Sequence, residues 1–370
     1  MKERFSGYDM VNTNFTVMAK PVSDRCNLKC EYCFYLGTKD ALSDKPMDTM
    51  SDETLEAFIC KYIQESPTPQ VNFVWQGGEP TLAGLDFFVR VVELQKQHAA
   101  GKVITNALQT NGIALNKSWV EFLKANHFLV GISLDGTQAA HDQYRISTSG
   151  KGTYQAVKDA IKLLNDYQVE YNVLCTVNSA NFNKGKSVYN NLKSIGVRYI
   201  QFIPIVTYKK NTPVGFTVPE KGFGKFLLDV FKEWVEQDIG FMFVMNFESS
   251  LSYYANGHAL ICFNQKQCGA PLVIESNGDL YSCDHFVEDR FKVGNIMQHS
   301  FAESIQSNQH KQFLTLRNVS RCGKCEYLDL CNGGCPNHTK PNGENHLCQS
   351  YKLFFKQTEG EMRYIVNNIL

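Results

Sequence analysis

The sequence predicts an α/β fold, a partial (β/α)6 barrel followed by a small cysteine-rich domain and a C-terminal helix. Three observations carry this. Between about residues 18 and 240, six short β-rich runs alternate with amphipathic segments, a pattern that implies parallel strands joined by right-handed crossovers. The alternation stops after six units, short of the eight that close a full barrel. After roughly residue 255 the segments shorten, Gly and Asn become frequent, and eight cysteines fall between Cys262 and Cys348. A chain of 370 residues also exceeds what one small core accommodates. The expected division is residues 1–240 for the barrel and 241–370 for the second domain.

The six expected strands lie in FTVMAKPV (15–22), VNFVWQG (71–77), KVITNALQT (102–110), FLVGISLD (128–135), EYNVLCTV (170–177) and RYIQFIPI (198–205). Between and after them, residues 52–65, 85–98, 117–126, 153–167, 186–196 and 220–237 repeat apolar positions every three or four residues, as helices packed on a sheet require. Residues 350–370 read as a C-terminal helix. The cysteine-rich segment has little apolar material for a core of its own, so metal clusters are its expected staples.

Composition narrows the function. Acidic and basic residues number 37 each, which removes electrostatic grounds for a nucleic-acid or membrane-surface partner. No apolar run reaches the length of a membrane span, and the first ten residues, MKERFSGYDM, lack a signal-peptide core, so a cytoplasmic location is expected. Thirteen cysteines, an odd number, in a reducing compartment point to metal or cluster ligation and away from disulfides. Cys60 and Cys175 stand apart in apolar runs and read as buried free thiols.

The remaining eleven cysteines fall into spaced groups. Cys26, Cys30 and Cys33 form a C-x3-C-x2-C loop after the first strand. Three ligands can hold three irons of a cubane and leave the fourth open to a small molecule, whereas structural sites are normally closed by four. A zinc site completed by a distant His or Cys is the competing reading. Other chemically suggestive residues also gather at strand ends, where α/β active sites form: Gln76-Gly77-Gly78-Glu79-Pro80, Gln109-Thr110-Asn111-Gly112, and Ser133-Leu134-Asp135-Gly136 with Arg145 beyond it. Two glycines allow close backbone approach to a ligand, and the Glu79 carboxylate could meet an ammonium group.

With CNLKCEYC, GGEP and SLDG on these strand ends, residues 18–210 resemble the radical S-adenosylmethionine enzymes. That resemblance implies a [4Fe-4S] cluster whose open iron is chelated by S-adenosylmethionine, and a 5′-deoxyadenosyl radical that abstracts hydrogen from substrate. The later cysteines resemble the SPASM extension with its two auxiliary [4Fe-4S] clusters, making three clusters in all. Carried over in order, Cys262, Cys268, Cys283 and Cys335 hold the first auxiliary cluster; Cys322, Cys325, Cys331 and Cys348 hold the second. Spacing alone favours a different split, with the compact 322/325/331/335 quartet as one site, and a zinc-ribbon-like reading of that quartet stays open.

Through CNLKCEYCFY, WQGGEPTLAG, SLDG, NGDLYSCDHF and CNGGCPNH, nearly the whole chain resembles the anaerobic sulfatase-maturating enzymes. These oxidise a Cys or Ser in a C/S-x-P/A-x-R type motif of a client sulfatase to Cα-formylglycine, with a flavodoxin- or ferredoxin-like electron donor. The resemblance marks Asp284 as the proton acceptor, with His285 beside it as the rival base. Burial near a cluster is expected to raise the Asp284 pKa toward the working range. It also implies S-adenosylmethionine contacts at Tyr32, Gly77, Ser133, Arg145 and Val206, with Asn111 a lesser candidate. His127, His141, His258, His338 and His346 read as surface or packing residues.

Two other functions remain at this stage. Another SPASM peptide maturase would form a thioether or carbon–carbon crosslink; the short stretch before the first strand counts against a separate precursor-recognition domain. A non-catalytic iron–sulfur carrier or zinc-stapled binding module has no use for an open iron.

Overall fold

The computed structural model describes residues 15–37, 49–268, 271–317 and 319–369; the MKERFSGYDM stretch lies outside the described residues. Each expected strand is present: β1 (Thr16–Ala19), β2 (Gln70–Trp75), β3 (Val103–Thr110), β4 (Phe128–Ser133), β5 (Tyr171–Val177) and β6 (Tyr199–Pro204). The helices between them are α1 (Asp52–Glu65), α2 (Leu85–His98), α3 (Lys117–Ala125), α4 (Gln138–Tyr144), α5 (Tyr154–Asp166) and α6 (Gly185–Ser194). Local chemistry sets several boundaries. The Ser51 hydroxyl caps α1 by accepting from Thr54 N, and the Asn116 side chain caps α3 by accepting from Trp119 N. In α5, Tyr154, Val157, Ala160, Ile161 and Leu164 form one buried stripe at helical spacing.

Beyond β6 come a small hairpin of β7 (Tyr208–Lys209) and β8 (Thr212–Pro213), then α7 (Gly222–Gln237), β9 (Phe243–Val244) and α8 (Met245–Asn256). The cysteine-rich part contributes β10 (Pro271–Ile274), β11 (Asp279–Tyr281), β12 (Lys292–Asn295), α9 (Phe301–Gln306), α10 (Asn308–Leu314), α11 (Leu328–Cys331) and the long α12 (Cys348–Asn368). The sheet order is β12-β11-β10-β1-β2-β3-β4-β5-β6-β9. From β10 through β9 every neighbouring pair is parallel, while β11 and β12 are antiparallel additions at one edge. The sheet stays open, as a run of six repeated units implies.

The periodicity at residues 153–167 and the other helical segments located α4 nowhere; its seven residues, QAAHDQY, are too few for an apolar stripe to register. Strands β9 to β12 were likewise not anticipated, because runs of two to four residues carry almost no alternation. Their effect is large: the sheet runs on through the cysteine-rich segment.

The core lies between the sheet and its helices. Phe58 and Tyr62 of α1, Phe73 and Trp75 of β2 and Phe88 of α2 are fully buried and pack edge to face or stacked. Trp75 Nε1 donates to Asn106 Oδ1 at 2.8 Å, and Asn106 exchanges paired amide bonds with Gln95, so the polar atoms in this region are satisfied. At the far end of the chain, Phe354 of α12 stacks on Phe247 of α8 (5.8 Å) and meets Phe231 of α7 edge-on (6.1 Å). Among the described residues no helix is long and apolar enough to cross a membrane.

Replacing Phe354 by Ala is expected to destabilise the protein by about 3–5 kcal/mol, the usual cost of emptying a large aromatic site. A fall in the midpoint of guanidinium denaturation with little change in slope is the expected reading.

Candidate functional site

The cysteine loop leaves β1 at the carboxyl end of the sheet and is held mainly by backbone. Gly78 N donates to Ser23 O (2.7 Å) and Glu79 N to Arg25 O (2.9 Å), binding the segment after β2 to the start of the loop. A Cβ at Gly78 would sit 2.2 Å from Arg25 O, and one at Gly77 would sit 2.9 Å from Ser23 O at a φ of +131°. The glycines therefore permit contact with the cysteine loop itself. On the other side, Lys29 N donates to Ile146 O (2.8 Å) and Glu31 N to Tyr144 O (3.2 Å), fastening the loop to the end of α4.

Glu79 ties the strand ends together. Its carboxylate is fully buried; Oε1 accepts from Thr81 N (3.1 Å), Thr81 Oγ1 (2.6 Å) and Thr110 Oγ1 (2.8 Å), and Oε2 accepts from Asn111 N (2.7 Å). These four bonds make it a strut between the ends of β2 and β3. Asn111, positioned by that strut, reaches Asn27 Oδ1 at 2.7 Å and Cys26 Sγ at 3.7 Å.

The three loop cysteines are close neighbours. Cys26, Cys30 and Cys33 flank one small apolar cluster with Leu28, Tyr32 and Tyr144, and Cys30 has Arg145, Cys33, Asp135 and Cys26 around it. Burial pushes the Cys30 thiol up to about 12 and the Cys26 thiol up to about 11. Thiols so disposed stay protonated unless a metal takes the proton's place.

Asp135, in the SLDG motif, organises the next part of the site. Its Oδ2 accepts from Arg145 Nε at 3.0 Å and from the Tyr32 hydroxyl, and its Oδ1 accepts from Thr176 N at 2.9 Å. Burial would lift this carboxyl, but Arg145 leads the groups that hold it below its ordinary value. Bonding through Nε fixes the Arg145 guanidinium, with its carbon 5.4 Å from the Tyr32 ring centre, and leaves its terminal nitrogens for another anion. Two of the expected cofactor residues thus meet here, Tyr32 and Arg145. Ser133, at the end of β4, accepts from Gln109 Nε2 at 3.1 Å. Gly77 belongs to the loop clamp described above. Val206 lies two residues past β6 and is buried in the main core.

The later cysteines divide into two groups in space. Cys335 has Cys262, Cys268 and Arg317 as neighbours, and Cys283 has Cys335 and Cys262. Cys331 has Cys325, Cys322 and Cys348. The compact quartet that spacing favours is therefore split, Cys335 standing with the earlier three. Burial pushes Cys335 to about 12 and Cys262 and Cys331 to about 11. Around them, Arg317 Nε, Tyr351 Oη and Asn264 Nδ2 are buried and have no hydrogen-bond partner among the described residues. Unpaired buried donors beside grouped thiols fit an anionic, sulfur-rich group. Among the described residues no three Cys, His, Asp or Glu side chains converge as the ligands of a single ion do. The ligands of a cubane surround a body several atoms across, so they have no need to. Of the two remaining cysteines, Cys175 is fully buried as expected, whereas Cys60 is only half-buried on α1.

Asp284 follows Cys283, whose Sγ lies 3.6 Å from Asp284 Oδ1. From protein groups alone, burial pushes its pKa up, while His285 and Lys20, with the contact to Cys283, hold the carboxyl below its ordinary value. His285 is occupied otherwise: its ring packs on Phe34 at 4.3 Å and Nδ1 lies 3.4 Å from Asn337 Nδ2. The remaining histidines divide. His338 and His346 are buried, with His346 bridging Tyr208 and Val218, and His141 is a buried strut between Asp135 N and Thr153.

Lys20 is the residue that sequence reasoning missed. It is almost wholly buried, with Nζ 3.5 Å from the Tyr35 ring centre, and its charged neighbours are Glu275, Asp284, Cys283 and Cys33. Burial drives its pKa down. A lysine at the end of an apolar strand run gives no signal in the sequence, because snorkelling to solvent is the ordinary outcome there. Here it links the first cysteine loop to the turn that carries Asp284.

Gly78→Ala is expected to displace the cysteine loop. After anaerobic reconstitution, iron would fall by about four atoms per chain, one cubane, while the remaining clusters load normally. Iron assay and visible absorption check this.

Comparison with known proteins adds the following. Residues 21–183 match the radical SAM superfamily and residues 255–335 match an iron–sulfur cluster-binding domain. The chain is 38% identical to a serine-type anaerobic sulfatase-maturating enzyme of Bacteroides thetaiotaomicron, covering 96% of this chain and 92% of that one. It is 34% identical to a cysteine-type anaerobic sulfatase-maturating enzyme of Clostridium perfringens, covering 96% and 99%. The solved structure of native anSMEcpe with bound AdoMet and Cp18Cys peptide matches with a TM-score of 0.89 at 34% identity, over 96% of this chain and 99% of that one. With an open parallel sheet, a three-cysteine loop at its carboxyl end and eight further cysteines in two groups, the chain belongs to the anaerobic sulfatase-maturating enzymes of the radical SAM superfamily.

Proposed function

We propose that this protein is the radical S-adenosylmethionine enzyme that converts a Cys or Ser of a client sulfatase to Cα-formylglycine. One observation carries the reading: Lys20 neighbours both Cys33 of the first loop and the Cys283–Asp284 turn, so a candidate base lies between two cysteine groups at one end of the sheet. A simple carrier has no need of a base there. Curated relatives of both serine and cysteine type support the same activity.

S-adenosylmethionine, bound at a [4Fe-4S] cluster on Cys26, Cys30 and Cys33, supplies the hydrogen-abstracting radical when that cluster is reduced. The chain's own residues position and protect the reaction. Arg145, fixed through Nε by Asp135, offers its terminal nitrogens to the methionyl carboxylate. Tyr32 and Val206 give apolar surface to the adenine, Ser133 a hydroxyl to the ribose, and the Gly77 backbone approaches the amine. Asp284 accepts the proton of the client thiol or hydroxyl, its charge supported by Lys20. Cys262, Cys268, Cys283 and Cys335 hold one auxiliary [4Fe-4S] cluster, and Cys322, Cys325, Cys331 and Cys348 a second. This makes three clusters in all, and an auxiliary cluster so held would supply a sink for the second electron. On this reading residues 1–240 carry the radical chemistry and 241–370 the auxiliary clusters. The client presents a C/S-x-P/A-x-R type motif and the reductant is a flavodoxin or ferredoxin; a cysteine-rich chain without a disulfide framework suits a reducing, cytoplasmic setting.

Anaerobic incubation with S-adenosylmethionine, a reductant and paired Cys- and Ser-containing peptides is expected to yield the aldehyde by mass spectrometry. Cofactor cleavage without aldehyde from either peptide would favour crosslink formation instead. Asp284→Asn is expected to lower the aldehyde yield at least a hundredfold, the scale of a lost general base, while cofactor cleavage continues. Chromatography of the cleaved cofactor alongside the peptide spectrum separates the two effects.

A further inference from the structure

Arg317 has no role in the chemistry described so far, yet its guanidinium is committed to one place. Nη2 donates to Cys268 Sγ at 3.0 Å and to Cys262 O at 3.2 Å; Nη1 donates to Phe263 O and Asn332 O, both at 3.1 Å. Asn332 itself bonds Asn264 O at 2.8 Å. The side chain therefore ties the short segment carrying Cys262 to the turn just before Cys335, and touches the sulfur of the third cysteine directly. Cys262 and Cys335 both have Arg317 as a charged neighbour. Its Nε is buried and has no partner among the described residues, so one donor of the fork is left over beside this cysteine group.

The structure assigns Arg317 as a positioning residue that sets the reduction potential of an iron–sulfur cluster on Cys262, Cys268, Cys283 and Cys335. The assignment rests on the reading of those four residues as ligands. Adding an electron to a cluster adds negative charge, and a cation hydrogen-bonded to a ligand sulfur stabilises that charge. Hydrogen bonds to sulfur and local charge are the levers by which a protein moves cluster potentials. Asp284, next to Cys283, supplies the opposite field and has His285 and Lys20 as its own cationic neighbours; Arg317 is the cation that bonds a sulfur of this group directly. With Arg317 present, one-electron oxidation of the client radical is matched by one-electron reduction of this cluster. A lysine at the same place keeps the charge but loses the planar fork that reaches four acceptors at once.

The test uses the full-length chain with Cys26, Cys30 and Cys33 replaced by Ala, so that only the auxiliary clusters report. After anaerobic reconstitution about eight irons per chain are expected. Redox titration followed by electron paramagnetic resonance then compares Arg317 with Arg317→Lys and Arg317→Gln. In Arg317→Gln one of the two auxiliary potentials is expected to fall by at least a factor of ten in the one-electron equilibrium constant, about 59 mV. Arg317→Lys should lie between, and the other cluster should not move. Unchanged potentials at full iron content overturn the assignment. If Arg317→Gln fails to load, Arg317→Lys alone decides by the same criterion. Cys268→Ala in the same background separates the underlying reading: about four irons support it, and a retained eight would remove the cluster from these residues whatever Arg317 does.

Discussion

Strand β1 is paired in parallel on both edges, to β2 through Val17–Phe73, Met18–Val74 and Ala19–Trp75, and to β10 through Thr16–Pro271 to Ala19–Ile274. At its carboxyl end the pairing continues: Gln76 N reaches Ala19 O and Lys20 N reaches Ile274 O, each at 2.9 Å. The loop after β1 is consequently flanked by the glycine turn after β2 and by the Glu275–Ser276 corner after β10. Ser23 Oγ closes the second contact, 3.0 Å from Ser276 Oγ and accepting from Ser276 N at 3.1 Å. One strand thereby brings together the first cysteine loop, a residue of the second half and the turn leading to Cys283 and Asp284. Parallel pairing matters here because it sends all three connections out at the same end of the sheet.

Buried charge accompanies this convergence and is handled in three ways. Glu79 accepts from hydroxyls and backbone amides, Asp135 is paired with Arg145, and Lys20 lies over Tyr35 near Glu275 and Asp284. Tyr35 in turn donates to Glu275, so the lysine, the tyrosine and the glutamate form one set drawn from the first loop and from the end of β10. Buried ion pairs are weak sources of net stability, since desolvation cancels most of the attraction. Their effect here is geometric: Asp135 and Arg145 fix the turn between β4 and the end of α4, while Lys20 stands near Glu275 and Asp284 of the second half, and each would leave an uncompensated charge if its partner shifted.

The legibility of the chain follows the range of the interactions concerned. The strands β1 to β6 and most of the long helices were readable, because periodicity is local and these elements are long enough to display it; α8, with its mixed run MNFESSLSYYAN, was not. The short strands β9 to β12 were not, since their pairing comes from distant neighbours and not from their own composition. GGEP was readable as a place of close approach, but not that its glycines also lie against the cysteine loop, nor that Glu79 braces the ends of β2 and β3. Asp135 was visible only as part of a motif, and Lys20 and Arg317 gave no signal at all. Asp135 and Arg317 act through bonds to residues distant in the chain, and Lys20 through its charged surroundings, neither of which one-dimensional spacing encodes.

By itself the sequence determined how many thiols are available, which of them form the three-residue loop and where the strand–helix repeats begin and end. Those properties depend on residue type and on separations of a few positions. How the eight later cysteines divide was decided only in three dimensions. The spacing of Cys322, Cys325, Cys331 and Cys335 favours one compact quartet, but Cys335 folds back among Cys262, Cys268 and Cys283, and Cys348 at the start of α12 takes its place. The physical reason is that the deciding contacts are long-range: Cys348 opens α12, and that helix packs through Phe354 on Phe231 of α7 and Phe247 of α8, far earlier in the chain. Asp284 is set by both kinds of neighbour, His285 beside it in the sequence and Lys20 some 260 positions earlier.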